Sequence, residues 1–156
     1  MIEIERKFLV TSEGYKQGAH TSIRIVQGFL STHPDRTVRV RRMGEEGYLT
    51  VKGRSNEEGT TRFEWEKKIS LKDAEALLDL CEEGVIDKIR YEVKVRDHVF
   101  EVDEFLGRNA GLVIAEVELS SEDEKFTHPD WLGKEVTGDI KYYNSQLSKN
   151  PYSEWK

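Results

Sequence analysis

The chain has 156 residues, of which 35% are charged, and a formal net charge of −6. Its length fits a single domain, expected over residues 1–156, with a real core, and its apolar residues recur in short periodic runs that exclude a disordered chain. The negative balance argues against general nucleic-acid binding, which relies on a positive field, and no apolar stretch approaches the roughly 20 residues of a membrane span.

Strict alternation of residue types predicts strands, because a period of two sorts side chains onto opposite faces. Glu3, Glu5 and Lys7 alternate with Ile4, Arg6 and Phe8. An extended run follows over residues 23–31. Thr37, Arg39 and Arg41 then alternate with Val38 and Val40, Thr50 and Lys52 with Leu49 and Val51, and Arg62, Glu64 and Glu66 with Phe63 and Trp65. His33-Pro34-Asp35, Gly44 to Gly47 and Asn56 to Gly59 supply turns between these runs. Ser70 opens a helix with Asp73 three residues on, and Leu71, Ala74, Leu77, Leu78 and Cys81 keep helical spacing until Gly84 can end it. Alternation then resumes. Lys88, Arg90, Glu92 and Lys94 oppose Ile89, Tyr91, Val93 and Val95; Glu101 and Asp103 oppose Phe100 and Val102; Glu116 and Glu118 oppose Ala115, Val117 and Leu119. A short helical turn is expected at residues 121–126 and a second helix over 141–148, stopped by Asn150-Pro151.

About eight strands and one clear helix predict an α+β domain built on a mainly antiparallel sheet. Eight strands can close into a barrel filled by side chains or holding one small ligand. Closure would turn the charged face into the bore and leave the apolar face outside, packed against the helices. Acidic and basic pairs fall on different strands, so the bore is expected to carry an acidic patch and a basic patch. Carboxylates two apart on a strand stand ~7 Å from each other and suit a hard cation such as Mg²⁺ or Mn²⁺. Arginine and lysine suit phosphate oxygens. Taken singly, each strand also reads as a solvated face with cross-strand ion pairs.

Other chemistries find no support in the sequence. There is no Gly-rich phosphate loop ending in Lys-Ser/Thr and no G-x-S-x-G. His20, His33, His98 and His128 lack metal-ligand spacing, and the single cysteine, Cys81, reads as a buried structural thiol. The start of the chain lacks the basic and apolar regions of a signal peptide, so a cytoplasmic protein is expected.

Read together, these segments resemble the CYTH, or triphosphate tunnel metalloenzyme, superfamily. The resemblance begins with its E-x-E-x-K signature at Glu3-Ile4-Glu5-Arg6-Lys7. It continues through Gln27-Gly28-Phe29-Leu30, Val38-Arg39-Val40-Arg41, Thr50-Val51-Lys52-Gly53, Arg62-Phe63-Glu64-Trp65-Glu66 and Lys88-Ile89-Arg90-Tyr91. It ends with Glu101-Val102-Asp103, Ala115-Glu116-Val117-Glu118, Gly133 to Thr137 and Tyr142-Tyr143-Asn144. The resemblance implies a closed eight-stranded tunnel that hydrolyses inorganic triphosphate with Mg²⁺ or Mn²⁺. It implies Glu3, Glu5, Glu116 and Glu118 as metal ligands, and Lys7, Arg39, Arg41, Lys52, Arg62, Lys88 and Arg90 as phosphate-binding residues. Lys7, Glu64, Glu66 and Asp103 are implied as catalytic. Relatives in the superfamily also hydrolyse thiamine triphosphate or nucleoside triphosphates, or cyclise ATP, and a binding protein without turnover is a further alternative. A monomer or homodimer is expected. One departure stands out: Phe29 occupies the place of a tyrosine whose hydroxyl is associated with proton handling beside the lysine matched by Lys7.

Overall fold

The computed structural model describes residues 2–155. They form nine strands: β1 (Ile2–Val10), β2 (Ala19–Ser31), β3 (Arg36–Met43), β4 (Glu46–Gly53), β5 (Thr61–Ile69), β6 (Ile86–Val95), β7 (His98–Phe105), β8 (Val113–Glu118) and β9 (Leu132–Glu135). The helices are short: α1 (Tyr15–Gly18), α2 (Leu71–Leu78) and α3 (Asn144–Leu147). The strand order β5-β4-β3-β2-β6-β7-β8-β1 closes on itself through a pairing of β5 with β1. The result is the expected eight-stranded antiparallel barrel.

The alternation of the sequence does not mark β9, and the structure explains why it forms. β5 pairs with β1 only at Ile2, Glu3 and Ile4. β9 pairs with Phe8 and Val10, further along the strand.

Directly opposed residues in a sheet share a face, so register decides what enters the bore. Glu3 opposes Arg62, Glu5 opposes Glu118 and Lys7 opposes Glu116. Arg39 opposes Thr50, Lys52 opposes Glu64, and Arg90 opposes Asp103. The charged residues on the polar face of β1, β3, β5, β7 and β8 therefore point inward, while Arg6 lies on the outer face with Glu135.

The apolar outer face is covered differently from expectation. Phe8, Val93, Phe100, Val102, Ala115 and Val117 pack under Tyr15 of α1 and under Leu119 and Trp131. An irregular connection, with no helix at residues 121–126, thus takes the place of a flanking helix there. α2 covers β3 and β4 instead. Its N-cap is as expected, with the Ser70 hydroxyl accepting from the Asp73 amide at 3.0 Å. The helix ends at Leu78, which leaves Cys81 half-buried beyond it, close against Gly28.

A second apolar cluster closes one end of the bore. Phe29, Ile86, Phe105 and Ile114 meet Val136, Tyr142 and Leu147 of the C-terminal segment. That segment is not the continuous helix expected over 141–148. A 3₁₀ turn at Ile140–Tyr142 and α3 are separated by Tyr143, which is extended at φ −69° and ψ 137°. Residues 140–147 contain neither glycine nor proline, so the sequence carries no breaker to announce the interruption.

Candidate active site

The bore encloses a cavity of about 190 Å³. Its wall includes Glu3, Glu5, Lys7, Arg39, Arg41, Lys52, Arg62, Glu64, Lys88, Arg90, Glu116 and Glu118, which is most of the set named from sequence. Glu66 and Asp103 are the exceptions, since both sit behind the bases of the wall. Three further wall residues, Tyr143, Asn144 and Ser145, come from the C-terminal segment.

On the β3 side, Arg39 and Arg41 share one carboxylate. Their Nη2 atoms lie 3.4 and 3.1 Å from Glu66 Oε2, which also accepts from the Thr50 hydroxyl at 2.7 Å. The Nε atoms of both arginines are buried and have no hydrogen-bond partner among the described residues. Burial, then repulsion from Arg41 on Arg39 and from Arg90 on Arg41, lowers the affinity of both guanidinium groups for their protons, with Glu66 opposing. Two buried N–H donors without acceptors are costly to the fold.

On the β6 side the bases are already paired. Asp103 accepts from Arg90 Nε at 2.8 Å and Nη2 at 2.9 Å, a bidentate contact, and lies 2.8 Å from Lys88 Nζ. Burial works to raise the Asp103 carboxyl, but Arg90 and Lys88 hold it at about 2. Lys88 also donates to Asn144 Oδ1 at 3.0 Å, an atom that accepts from Gln27 Nε2 at 3.1 Å as well. Asn144 thereby fastens the C-terminal segment to the closed end of the bore.

The acidic residues of β1 and β8 gather as expected, and they solve their repulsion by pairing. Burial, then Glu116 and Glu3, push the Glu5 carboxyl well above its ordinary range. Burial opposes ionisation of Glu116, yet Lys7 and the hydrogen bond with Glu5 hold it well below. Glu64 is pushed up to about 7 by burial and by its hydrogen bond with Glu3. Glu3 itself is held at about 2 despite burial, by Glu64, Lys52 and Arg62. Lys52 Nζ lies 3.0 Å from Glu3 and 3.4 Å from Glu64. Glu5 with Glu116 and Glu3 with Glu64 are thus two coupled pairs of acidic groups.

Separate acidic and basic patches are only partly realised. A basic strand lies beside an acidic one at β6–β7, and β3 reaches across β4 to Glu66, so opposite charges neutralise across the ladder. Sequence reading also missed Thr50, Tyr143 and Asn144 as site residues, because none belongs to a charge pattern. Phe29 lines the cavity and opposes Arg39, with no irregularity at Gly28; the register shift lies between Phe29 and Ser31. The bore face of β2 carries Phe29, Gln27, Ile25 and Ile23, which oppose Arg39, Arg41, Lys88 and Arg90 in turn.

A closed barrel with a charged bore, plugged at one end by its C-terminal segment, defines the class. The chain belongs to the CYTH domain family, which it matches over residues 1–150. It is 48% identical over 155 residues to an inorganic triphosphatase of Acetivibrio thermocellus, covering 99% of this chain and 97% of that one. An inorganic triphosphatase of Nitrosomonas europaea is 38% identical over 152 residues, covering 95% and 97%. A crystal structure of an inorganic triphosphatase superposes with a TM-score of 0.67 at 35% identity, covering 94% of this chain and 97% of that one. A Pyrococcus horikoshii protein shares the fold at a TM-score of 0.62 and 21% identity, covering 78% and 81%.

Proposed function

We propose that the chain is a divalent-metal-dependent hydrolase of inorganic triphosphate. The observation that carries this reading is a cavity walled by Lys7, Arg39, Arg41, Lys52, Arg62, Lys88 and Arg90, in which two of the arginines share the single carboxylate of Glu66. Two curated relatives named inorganic triphosphatase support it. The cavity, about 190 Å³, is smaller than the roughly 300–1,000 Å³ typical of pockets for drug-sized organic ligands, which favours a bare phosphate chain.

The donor chemistry fits a hard cation. Glu3, Glu5, Glu116 and Glu118 offer only carboxylate oxygens, and burial with neighbouring acidic groups raises Glu5 and Glu64, a strain on their ionised forms that a cation would relieve. Among the described residues no three such groups already converge as a finished cage. Those four glutamates are the ones that would hold Mg²⁺ or Mn²⁺, which when bound neutralises phosphate oxygens and polarises the reacting group.

The chain's own residues supply the rest. Arg39, Arg41, Lys7, Lys52, Arg62, Lys88 and Arg90 bind and orient the phosphates, and they offset the charge that spreads over the transferring group. Water attacks the terminal phosphorus, the P–O bond to the bridging oxygen breaks, and diphosphate leaves. Of the three acidic residues read as catalytic, Glu64 alone lines the cavity, so taking the proton of the attacking water falls to it. Glu66 and Asp103 act as positioning residues behind the bases. The apolar plug around Phe29 keeps bulk water from the closed end.

A phosphate-release assay over tripolyphosphate, pyrophosphate, ATP and thiamine triphosphate, with Mg²⁺, with Mn²⁺ and in excess chelator, tests this reading. Tripolyphosphate is expected to be preferred and chelation to abolish turnover. Preference for ATP or thiamine triphosphate would move the substrate to the organic triphosphates. Undiminished turnover in chelator would refute the metal assignment.

A further inference from the structure

Lys7 differs from the other buried lysines of the bore. Lys52 is paired with Glu3 and Glu64, and Lys88 with Asp103. Lys7 is just as buried, at 7% exposure, and stands opposite Glu116, whose ionised form it favours, yet among the described residues its ammonium has no carboxylate within 4 Å and no side-chain hydrogen bond. What stands beside it is an aromatic face: Lys7 Nζ lies 5.1 Å from the centroid of the Tyr143 ring.

We propose that Tyr143 is a positioning residue for Lys7, holding its ammonium toward the substrate by the ring face. The inference rests on the triphosphate hydrolase reading above. A cation within about 6 Å of a ring centroid is attracted by the ring quadrupole, the more so where water is excluded. A carboxylate would hold the lysine equally well but would cancel its charge. The ring holds it without taking up its N–H donors, which stay available to a phosphate oxygen although Glu116 lies opposite.

The backbone is built to deliver this ring. Tyr143 is the extended residue between the 3₁₀ turn and α3, and a continuous helix would not interrupt the segment there. Asn144, next in the chain, anchors the segment through Gln27 and Lys88. The hydroxyl end lies near Gly59. A Cβ added at Gly59 would come within 3.2 Å of that oxygen and 2.3 Å of the Gly138 Cα, so the two loops meet where only glycines allow. Arg62 also approaches the ring, at 5.7 Å, but it has Glu3 at 3.6 Å as an ion partner and does not depend on the ring.

The prediction is that the ring matters and the hydroxyl does not. Tyr143→Phe should keep kcat/KM and Kd for tripolyphosphate within about twofold, whereas Tyr143→Leu should weaken both by roughly tenfold. In a Lys7→Ala background the leucine substitution should have little further effect, because the residue it acts through is gone. Reading the cycle by calorimetric titration of tripolyphosphate keeps it informative when turnover of the Lys7→Ala variant is slow. Should Tyr143→Leu melt below the assay temperature, Tyr143→Met, unbranched and apolar without a π face, replaces it. The inference is overturned if Leu or Met matches the unaltered chain, if Phe falls as far as Leu, or if the losses at Lys7 and Tyr143 simply multiply. An unaltered chain that does not hydrolyse tripolyphosphate overturns the hydrolase reading on which it rests.

Discussion

β3 and β6 present the same sequence signal, two bases one residue apart on the bore face, and the fold treats them in opposite ways. Lys88 and Arg90 on β6 lie beside β7, whose Asp103 is directly opposite Arg90 and takes up both bases. Arg39 and Arg41 on β3 lie beside β4, which offers Tyr48 and Thr50 instead of carboxylates. Their nearest carboxylate is Glu66, one strand further, and a single carboxylate shared by two guanidinium groups leaves donors over. The difference teaches that a charge pair on a strand acquires its role from its neighbour in the sheet. With an acid opposite it is fixed in place before any ligand arrives, and without one it keeps donors unpaired.

The comparison breaks most severely at Asp103. Removing one partner of a buried ion pair strands the others, at a cost of about 3–5 kcal/mol. Asp103→Ala leaves both Lys88 and Arg90 without their main partner, so this loss is expected in chemical denaturation. Glu66→Ala should cost distinctly less, because its side chain is 31% exposed and water can reach the arginines it leaves. Equal destabilisation by the two substitutions would mean that the β3 and β6 walls do not differ as described.

Arg41→Ala sharpens the functional half of the contrast. Losing one charge-assisted contact costs about 1.5–3 kcal/mol, so kcat/KM for tripolyphosphate should fall roughly tenfold or more. Stability should hold or rise, because Arg41 sits among like charges on Arg39 and Arg90. Arg42, one residue on, donates outward to the Gly44 carbonyl and lies near the exposed Glu45 and Glu75. Arg42→Ala should change kcat/KM less than about twofold, in line with ordinary surface substitutions. Equal losses at Arg41 and Arg42 would place the bore on the wrong face of β3.

The strands and the charged bore were legible in the sequence because period-two patterning is local: Glu3-x-Glu5-x-Lys7 and Arg39-x-Arg41 state their own faces. What patterning leaves open is which strand lies beside which. Whether Asp103 would meet Arg90 or a ligand depended on register between β6 and β7. β9 was invisible because Leu132 to Glu135 has no alternation of its own and forms on the edge that β1 offers. Tyr143 and Asn144 looked like part of a helix, since the break between them and the preceding turn is set by tertiary anchoring rather than by glycine or proline. Phe29 reaches the bore in regular register opposite Arg39, on a face of β2 where Ile23, Ile25 and Gln27 carry no charge to mark it.

The smallest expected effect is one of pH, and it separates the two walls without changing the fold. Burial, with Arg90 beside it, lowers the Lys88 ammonium from its ordinary value to about 8, against the opposing pull of Asp103 and Glu116. A base with a lowered value carries its charge below that value and loses it above. In the free chain Lys88 is therefore cationic below pH 8 and neutral above. A polyanion binds the cationic form better, so tripolyphosphate affinity should decline as pH rises through 8, with binding itself drawing the midpoint upward. An arginine at this position stays protonated throughout the range, so Lys88→Arg should flatten the decline while Arg39→Lys should not. Calorimetric titration of tripolyphosphate between pH 6.5 and pH 9.5, about 1.5 units either side of that midpoint, reads the difference. A decline of equal steepness in Lys88→Arg would assign the titration to the phosphate chain or to another group and remove Lys88 from the binding wall.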